Sequence, residues 1–377
     1  MSTQEVSTKS TVLPKLALVA IIALVIAGLA TLDRFLATAQ DVEVQRLAQG
    51  SYLDGLRFRR TGNIPEAVDA LRKAHALNRR NTEYELELVD ALIADGELDQ
   101  AELLINDVLE REPNDGRANL LGARLMIAER KPTEAESYYH RAIYGEWPDD
   151  AAAHRVSVRM ELVDFLAARG KREELLPELL PLQEGAGKDP VTERHLARLF
   201  LIVGSASRAA DDYRAIIKQD PKDAAAYAGL GSAELQLGDY RGAHHAFLTA
   251  SNYKPGDASI RQQLELSSTL AALDPTSRQL TSMEKYRRSL RILDLVRLDL
   301  EGCIASHPAQ ASDETRQALA AADEALTSKP QTEVTNEIAE NVLKLAEQAW
   351  EARVNVCGTA TSPDKESLRL IVEKIAQ

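Results

Sequence analysis

Aromatic side chains are scarce in this sequence of 377 residues: they make up 5% of it, although 45% of all residues are hydrophobic. A core must therefore be built mainly from Ala, Leu, Ile and Val. Close packing of helices through small side chains suits this composition better than a β-sandwich, because strands favour aromatic and β-branched residues. The composition thus favours an all-α fold.

Positive charge is also in short supply, since the formal net charge is −13. A nucleic-acid partner needs a basic surface that neutralises phosphates. Broad adhesion to an anionic membrane face needs one as well. The charge therefore argues against both, and we expect the partners to be other proteins, with no nucleic acid among them.

Motifs that carry chemistry are missing from the sequence. There are two cysteines and no Cys-x-x-Cys pair, which excludes a zinc ribbon and a thioredoxin-like site. No Walker loop, dinucleotide fingerprint or Gly-x-Ser-x-Gly elbow occurs. The one adjacent histidine pair, His244-His245, is a poor chelate, because neighbouring positions on a helix point about 100° apart. We expect no enzyme, no cofactor and no metal site.

Long uncharged runs are confined to the N-terminus. The segment 16–32 reads LALVAIIALVIAGLATL, which spans about 25 Å as a helix and approaches the thickness of a bilayer core. The sequence predicts a transmembrane helix over 12–32, preceded by a cytoplasmic N-terminus over 1–11. A cleaved signal peptide is the alternative, because Ala37-Thr38-Ala39 forms a small-x-small cleavage site before Gln40. A buried soluble helix is the third interpretation.

Orientation is weakly encoded, because basic residues flank this segment on both sides. Lys9 and Lys15 precede it, while Arg34 and Arg46 follow it, so the positive-inside rule is nearly balanced. An anchor and a signal peptide both usually export the chain behind them. We therefore expect a single-pass protein of the cytoplasmic (inner) membrane with most of the chain on the periplasmic or extracytoplasmic side.

A period of 34 residues runs through the middle of the chain. Thirty-four residues separate Ala67 from Ala101 and Ala101 from Ala135, and the same step joins Leu175, Ala209 and Ala243. The step from Ala135 to Leu175 is longer, at forty residues, and the excess indicates a longer loop at 144–150. Small or aliphatic residues recur twelve positions before and seven positions after each of these six residues. In five of the six repeats, a glycine lies five positions before that residue.

This pattern resembles the tetratricopeptide repeat, which has two antiparallel helices per 34 residues. The resemblance implies an α-solenoid of about six repeats over 48–257, with the first helix of each pair lining a concave face that binds peptides or proteins. The fourth repeat fits worst, because Pro177 and Pro181 are expected to break its second helix.

Positions within each repeat are counted so that Ala67 and its equivalents at each later step occupy position 20. The residues at positions 5 and 9, on the first helices, are then the candidates for the concave face. The Lys–Asn clamp of repeats that bind a C-terminal carboxylate is absent there. Apolar residues dominate the early repeats and arginines the later ones, which suggests a groove for a hydrophobic helix or extended segment with acidic flanks. The candidate residues are Tyr52, Leu56, Leu86, Leu120, Arg124, Met160, Arg194 and Arg198.

Outside the repeats we expect helices throughout. A helical linker over 33–47 leads into the solenoid, a capping helix over 258–274 closes it, and a C-terminal helical domain occupies 275–377. Within that domain the pattern predicts long helices over 278–306 and 333–357, a shorter one capped by Ser312 that ends at 326, and a last one opening at Ser362-Pro363. These form a helical bundle without a recognised family.

Cys303 and Cys357 each fall near the end of a long predicted helix. If those helices run side by side and parallel, or if their ends meet, a disulfide is geometrically feasible, and it would stabilise the fold by about 4 kcal/mol in the chain-entropy treatment. Two buried free thiols are the alternative. Export of the chain would favour the bridge.

These observations predict a membrane-anchored protein–protein interaction scaffold or assembly factor at the cell envelope. Confinement to a membrane raises the effective concentration of a membrane partner, so weak contacts in the groove would suffice. The alternative is a structural subunit of an envelope or secretion complex that uses the C-terminal bundle as its interface.

Overall fold

The computed structural model describes the backbone of residues 12–185, 189–277, 279–328, 333–359 and 365–376. Side chains of 12–22 and of five further residues between 30 and 39 are not described. The predicted N-terminus over 1–11 and the helix start at Ser362-Pro363 lie outside the described residues.

The described residues form seventeen α-helices and no strand. One isolated bridge pairs Asp115 with Glu146. The helices are α1 (Val12–Arg60), α2 (Ile64–Leu77), α3 (Thr82–Asp95), α4 (Leu98–Arg111), α5 (Gly116–Ala128), α6 (Pro132–Tyr144), α7 (Ala151–Ala168), α8 (Arg172–Gly185), α9 (Pro190–Ile202), α10 (Ala206–Gln219), α11 (Ala224–Gln236), α12 (Tyr240–Tyr253), α13 (Ala258–Leu273), α14 (Ser282–Ser306), α15 (Asp313–Thr327), α16 (Asn336–Cys357) and α17 (Glu366–Ile375). The all-α prediction is confirmed for these residues.

The chain divides into two compact units, Met1–Asp164 and Phe165–Gln377, which are described separately below. The first unit holds helices α1–α6 and most of α7. The second holds α8–α17. The domain boundaries drawn from the sequence remain a prediction.

A seam of small and aliphatic side chains is buried between the paired helices of both units. The residues that define the period, Ala67, Ala101 and Ala135 in the first unit and Leu175, Ala209 and Ala243 in the second, are all fully buried. At the helix crossing opposite Ala67, a β-carbon added to Gly55 would lie 2.5 Å from Leu71 Cγ. The small residues therefore set how closely the helices approach.

Each helix pair turns through a residue in the left-handed region. Five repeats place glycine there, with φ of 79° at Gly62, 85° at Gly96, 71° at Gly170, 79° at Gly204 and 72° at Gly238. The third repeat adopts the same turn with Arg130, at φ 62°. Only glycine populates this region without steric cost, so the recurring glycine is explained by the turn.

Every odd-numbered helix from α3 to α13 begins after an Asn or Asp that accepts a hydrogen bond from a backbone N–H three residues ahead. Asn81 accepts from Tyr84 N at 3.1 Å, and Asp223 accepts from Ala226 N at 3.0 Å. These caps stabilise helix starts that would otherwise leave N–H groups unpaired. The remaining members are Asp115, Asp150, Asp189 and Asp257.

The extra residues of the third repeat form the expected loop between α6 and α7. It folds back on the chain, because Trp147 Nε1 donates to Ala142 O at 3.0 Å and the indole stacks on His154 with ring centroids 4.3 Å apart. A β-carbon on Gly116 would lie 2.3 Å from this indole, so glycine is required at the start of α5.

The predicted break in the second helix of the fourth repeat is wrong. Helix α8 runs without interruption from Arg172 to Gly185, with Pro177 and Pro181 inside it. Both prolines are exposed, so the carbonyls that lose an N–H partner face solvent, while Leu175, Leu179 and Leu182 are buried along the opposite face. Burial of that apolar stripe holds the helix despite the unfavourable prolines.

The C-terminal part of the second unit is the expected helical bundle. Helix α13 follows α12 where the capping helix was predicted, and Ser312 caps α15 by accepting from Thr315 N at 3.2 Å. Helices α14 and α16 start slightly later than predicted, at Ser282 and Asn336, and Gly358 ends α16 with φ 76°.

Helices α14 and α16 lie side by side and parallel. Asp299 and Arg353 form a buried ion pair at 2.7 Å, and one turn further along Cys303 and Cys357 form a disulfide with Cα atoms 5.9 Å apart. Both pairs are offset by 54 residues, as a parallel arrangement requires.

Helix α17 packs back onto the last repeat. The hydroxyl of Tyr240, the first residue of α12, donates to Leu370 O at 3.0 Å. The amine of Lys374 donates to Gly238 O and to the Asp274 carboxylate, both at 2.8 Å. These contacts join the bundle to the turn of the sixth repeat.

Within the described part of the chain, no helix combines the length and the apolar character that a membrane crossing needs. The backbone of 12–32 is helical as the start of α1, and the side chains of 12–22 lie outside the description.

Candidate binding surface

The residues proposed for the groove lie on the first helices of the pairs. Tyr52, Leu56, Leu86, Leu120, Arg124 and Met160 belong to the first unit, and Arg194 and Arg198 to the second. Five of the six in the first unit keep partly exposed side chains. Leu86 is only 3% exposed, so it packs in the core and offers little surface to a partner.

The aromatic end of this surface lies at the first repeat. Tyr52 stacks on Tyr84 with ring centroids 4.7 Å apart and donates its hydroxyl proton to the Glu83 carboxylate at 2.8 Å. Burial, together with that carboxylate, raises the pKa of the Tyr52 phenol above its usual range, so it remains a donor. Tyr52 is thereby held in one orientation.

Charged side chains connect successive first helices of the first unit. Arg59 on α1 reaches Glu87 on α3 at 2.8 Å and also pairs with Asp90. Arg117 on α5 pairs with the same Glu87. We call these residues, with the Arg124 and Glu161 pair described next, the charge ladder.

The ladder continues to α7 through Arg124. Its guanidinium donates two hydrogen bonds to the Glu161 carboxylate, both at 2.9 Å, and lies 3.9 Å from Asp90. Tyr139 on α6 donates to the same carboxylate at 2.8 Å. A bidentate pair of this kind fixes the separation of two helices as well as their charge.

The ionisation of Glu161 follows from these contacts. Burial alone would raise its pKa, but the hydrogen bond and charge of Arg124 and the Tyr139 hydroxyl outweigh burial and leave the pKa below 4.5. The carboxylate is therefore ionised at neutral pH, and Arg124 is engaged inside the protein.

In the second unit the two predicted arginines differ. Arg194 forms an ion pair with Asp223, whose side chain is 7% exposed and which caps α11. Arg198 is exposed, and its Nη2 lies 3.2 Å from His195 Nδ1. Arg198 borders a surface cavity with Arg172 of α8 and Gln236 of α11.

The charge ladder was missed by the sequence reasoning, which treated position 9 only as a source of positive charge. The sequence did contain a signal: the charge at position 9 alternates between successive repeats, from Asp90 to Arg124 to Asp164 to Arg198. The acidic partners at position 6, such as Glu87 and Glu161, could also have been counted.

No group of three or more His, Cys, Asp or Glu side chains within the described ranges could hold a metal ion.

Helix pairs with buried small crossing residues and left-handed glycine turns define an α-solenoid, and comparison with known families places its repeats. Residues 59–125 and 195–258 match the tetratricopeptide repeat family. These two stretches are tetratricopeptide repeats, as the sequence pattern predicted. Such repeats bind peptides or other proteins, and the fold is typically a non-catalytic protein-interaction scaffold.

A curated relative is cellulose synthase operon protein C of Pseudomonas fluorescens (strain SBW25), which is 23% identical over 290 residues. The match covers 74% of this chain but only 22% of that protein. The chain thus spans about a fifth of the length of this relative.

Several solved structures are similar to part of this chain. YrrB, described as a TPR protein with an unusual peptide-binding site, is 17% identical with a TM-score of 0.43 and covers 53% of this chain and 99% of its own. PilF of Pseudomonas aeruginosa is 15% identical with a TM-score of 0.43, covering 58% and 97%. The C-terminal part of a TPR repeat-containing protein from Cytophaga hutchinsonii is 11% identical with a TM-score of 0.47, covering 59% and 86%.

Proposed function

We propose that this protein is a membrane-anchored scaffold or assembly factor of the cell envelope, and that it holds a segment of a partner protein against the first helices of its repeats. The observation behind the proposal is the surface of the first unit. There, Tyr52, Leu56, Leu120 and Met160 keep partly exposed apolar area on helices that are otherwise packed.

The charge ladder supports the same proposal, because it stiffens this surface. Each first helix from α1 to α7 is tied to the next by ion pairs that include partly buried carboxylates. A surface whose side chains are already fixed loses less conformational entropy when a partner binds. Apolar area beside fixed charges favours a partner segment that is itself apolar with polar flanks.

Photocrosslinking in native membranes tests the surface. A photoreactive amino acid at Leu56 or Met160 should capture one defined partner. The matched control is Leu103, a leucine on the second helix α4 whose side chain is 72% exposed. Equal capture of the same partner at Leu103 would contradict the proposal that the partner binds to the first helices.

The membrane anchor is a separate part of the proposal and has its own test. It is supported by the uncharged run over 16–32. The full chain should remain in the membrane pellet after alkaline carbonate extraction, and substitution of Leu24 and Leu29 by Arg should release it. Recovery of the unsubstituted chain in the carbonate supernatant would contradict anchoring.

A further inference from the structure

One cavity of the second unit is bordered by two arginines and no carboxylate. It measures about 470 Å³ and is lined by Arg172 at the start of α8, Arg198 near the end of α9, Gln236 at the end of α11 and the segment Leu201–Gly204. We call it the arginine cavity. Within the described residues neither guanidinium forms an ion pair with an Asp or Glu carboxylate.

Several arginines on the first helices are paired with carboxylates. In the first unit Arg59, Arg117 and Arg124 all bind carboxylates. In the second unit Arg194 binds Asp223. Arg198 instead approaches only the imidazole of His195 in the described contacts, and Arg172 projects into solvent. Arg198 on the first helix α9 and Arg172 on the second helix α8 are thus both available to an external anion.

The local electrostatics favour an anion in spite of the helix ends nearby. The cavity lies where α9 and α11 end, and each helix C-terminus contributes about half a negative charge. The terminal carbonyls are largely occupied: Leu199 O accepts from Val203 N at 3.1 Å and Phe200 O from Ser205 N at 2.8 Å. Two full positive charges outweigh the two helix ends, so a net positive site remains.

The shape fits an extended chain better than a free ion. A second cavity of about 840 Å³ shares Gly204 and Gln236 with the first and continues along the start of α10. Among its charged residues, Asp211 pairs with Arg214 at 3.0 Å, and Arg208 donates to the neutral amide of Gln183 at 2.9 Å. The continuous space accepts several residues of a peptide, with Arg172 and Arg198 together at one end.

We propose that the arginine cavity binds an acidic side chain of an extended partner segment, whose carboxylate is received by Arg172 and Arg198. This rests on the proposed function, because it names the chemistry of the segment that the repeats hold. The apolar wall formed by Leu201 and Ile202 would take the neighbouring apolar residue of that segment.

A selection from a random peptide library displayed on phage tests this, with the full chain immobilised as bait. Peptides retained by the unsubstituted protein should be enriched in Asp and Glu by about tenfold at one position, the discrimination expected of a charge-assisted hydrogen bond. The double variant R172E/R198E should lose this enrichment and select Lys or Arg there. Both positions are exposed, so the variant should keep its helical circular dichroism.

The matched control is R287E/R291E, which makes the same charge change at two exposed arginines of α14 and should leave the acidic enrichment intact. Peptides selected without acidic enrichment, or with the same enrichment in R172E/R198E, would overturn the proposal that the arginine cavity binds an acidic side chain. Neither result would contradict the scaffold function. Failure of the full chain to retain any peptide above an empty support would count against both.

Discussion

Arg130 holds a backbone conformation that the other repeats assign to glycine. Its φ of 62° closes the turn between α5 and α6, and its side chain is exposed. A β-carbon in this region costs about 1 kcal/mol against glycine. The third repeat therefore keeps the turn geometry of its neighbours at a local energetic cost.

We expect Arg130→Gly to raise the free energy of unfolding by up to about 1 kcal/mol, because the strain is removed while glycine gains some freedom in the unfolded chain. Urea unfolding followed by circular dichroism measures it. Gly96→Ala, at φ 85° in the preceding repeat, is the control and should destabilise. A loss of stability in Arg130→Gly would mean that its side chain makes a stabilising contact.

Glu161 should give the charge ladder a pH dependence. Its folded-state pKa lies below 4.5, so the stabilisation is complete above pH 4.5 and is lost as the pH falls through the folded value. We expect Glu161→Gln to cost about 1 kcal/mol at neutral pH, a modest figure because both partners are partly exposed. The difference from the unsubstituted protein should shrink as the pH falls below the usual pKa of a glutamate.

The measurement is urea unfolding of both proteins at several pH values, since the comparison isolates one carboxylate from all the others. Glu184→Gln, which removes an exposed carboxylate at the end of α8, should show no such convergence. A stability difference that stays constant down to pH 3 would contradict the assigned ionisation.

Residue-level geometry was only partly accessible from the sequence. The turn glycines could be found because the left-handed region leaves a compositional signature, which five of the six repeats show. The ladder could not be deduced with the same ease, because Arg124 and Glu161 are 37 residues apart and meet only once the helices are packed. The arginines at position 9 suggested positive charges available to a partner protein. Whether a carboxylate of the same chain pairs with them depends on how neighbouring helices are aligned, which the sequence does not give.

At the scale of helices, the 34-residue period fixed the order of the pairs, and local rules failed where packing dominates. Two interior prolines would normally end a helix, at about 3 kcal/mol each. In α8 the burial of Leu175, Leu179 and Leu182 maintains it. The Asn and Asp caps of the first helices followed the same period and could have been read from the sequence.

Removal of the α8 prolines should therefore stabilise the protein. We expect Pro177→Ala and Pro181→Ala each to raise the melting temperature of the second unit, because each restores a backbone hydrogen bond on the exposed face. Pro132→Ala is the matched control: this proline occupies the first turn of α6, where proline is favourable, and its replacement should bring no gain.

Differential scanning calorimetry measures these three variants. A lower melting temperature of Pro177→Ala or Pro181→Ala would contradict this prediction. It would mean that the proline rings make stabilising contacts, although both are exposed in the structure.

For the chain as a whole, the fold class followed from the sequence far more completely than the binding surface did. The residue pattern of the repeat occurs six times, so a local exception such as α8 does not obscure it. The surface depends on single side chains, and three of the candidates changed character: Leu86 is buried, Arg124 is paired with Glu161 and Arg194 with Asp223. The C-terminal helices were found by their apolar stripes, yet their parallel pairing became clear only from the structure.

The two tryptophans allow the two units to be followed separately, since Trp147 lies in the first and Trp350 in the second. Trp350 packs in the bundle core next to Arg353, on the helix that ends at Cys357. With Trp147→Phe as background, fluorescence reports the bundle alone. With Trp350→Phe, it reports the first unit.

We expect C303A/C357A to lower the stability reported by Trp350 by about 4 kcal/mol, because the disulfide removes the freedom of a loop of more than 50 residues from the unfolded chain. The stability reported by Trp147 should change much less. Reductant should produce the same loss in the unsubstituted protein and no further loss in C303A/C357A, which separates the bridge from the packing of the cysteine side chains. A Trp350 signal that is unchanged by both treatments would show that the buried Asp299–Arg353 pair and the surrounding core, rather than the bridge, hold α14 against α16.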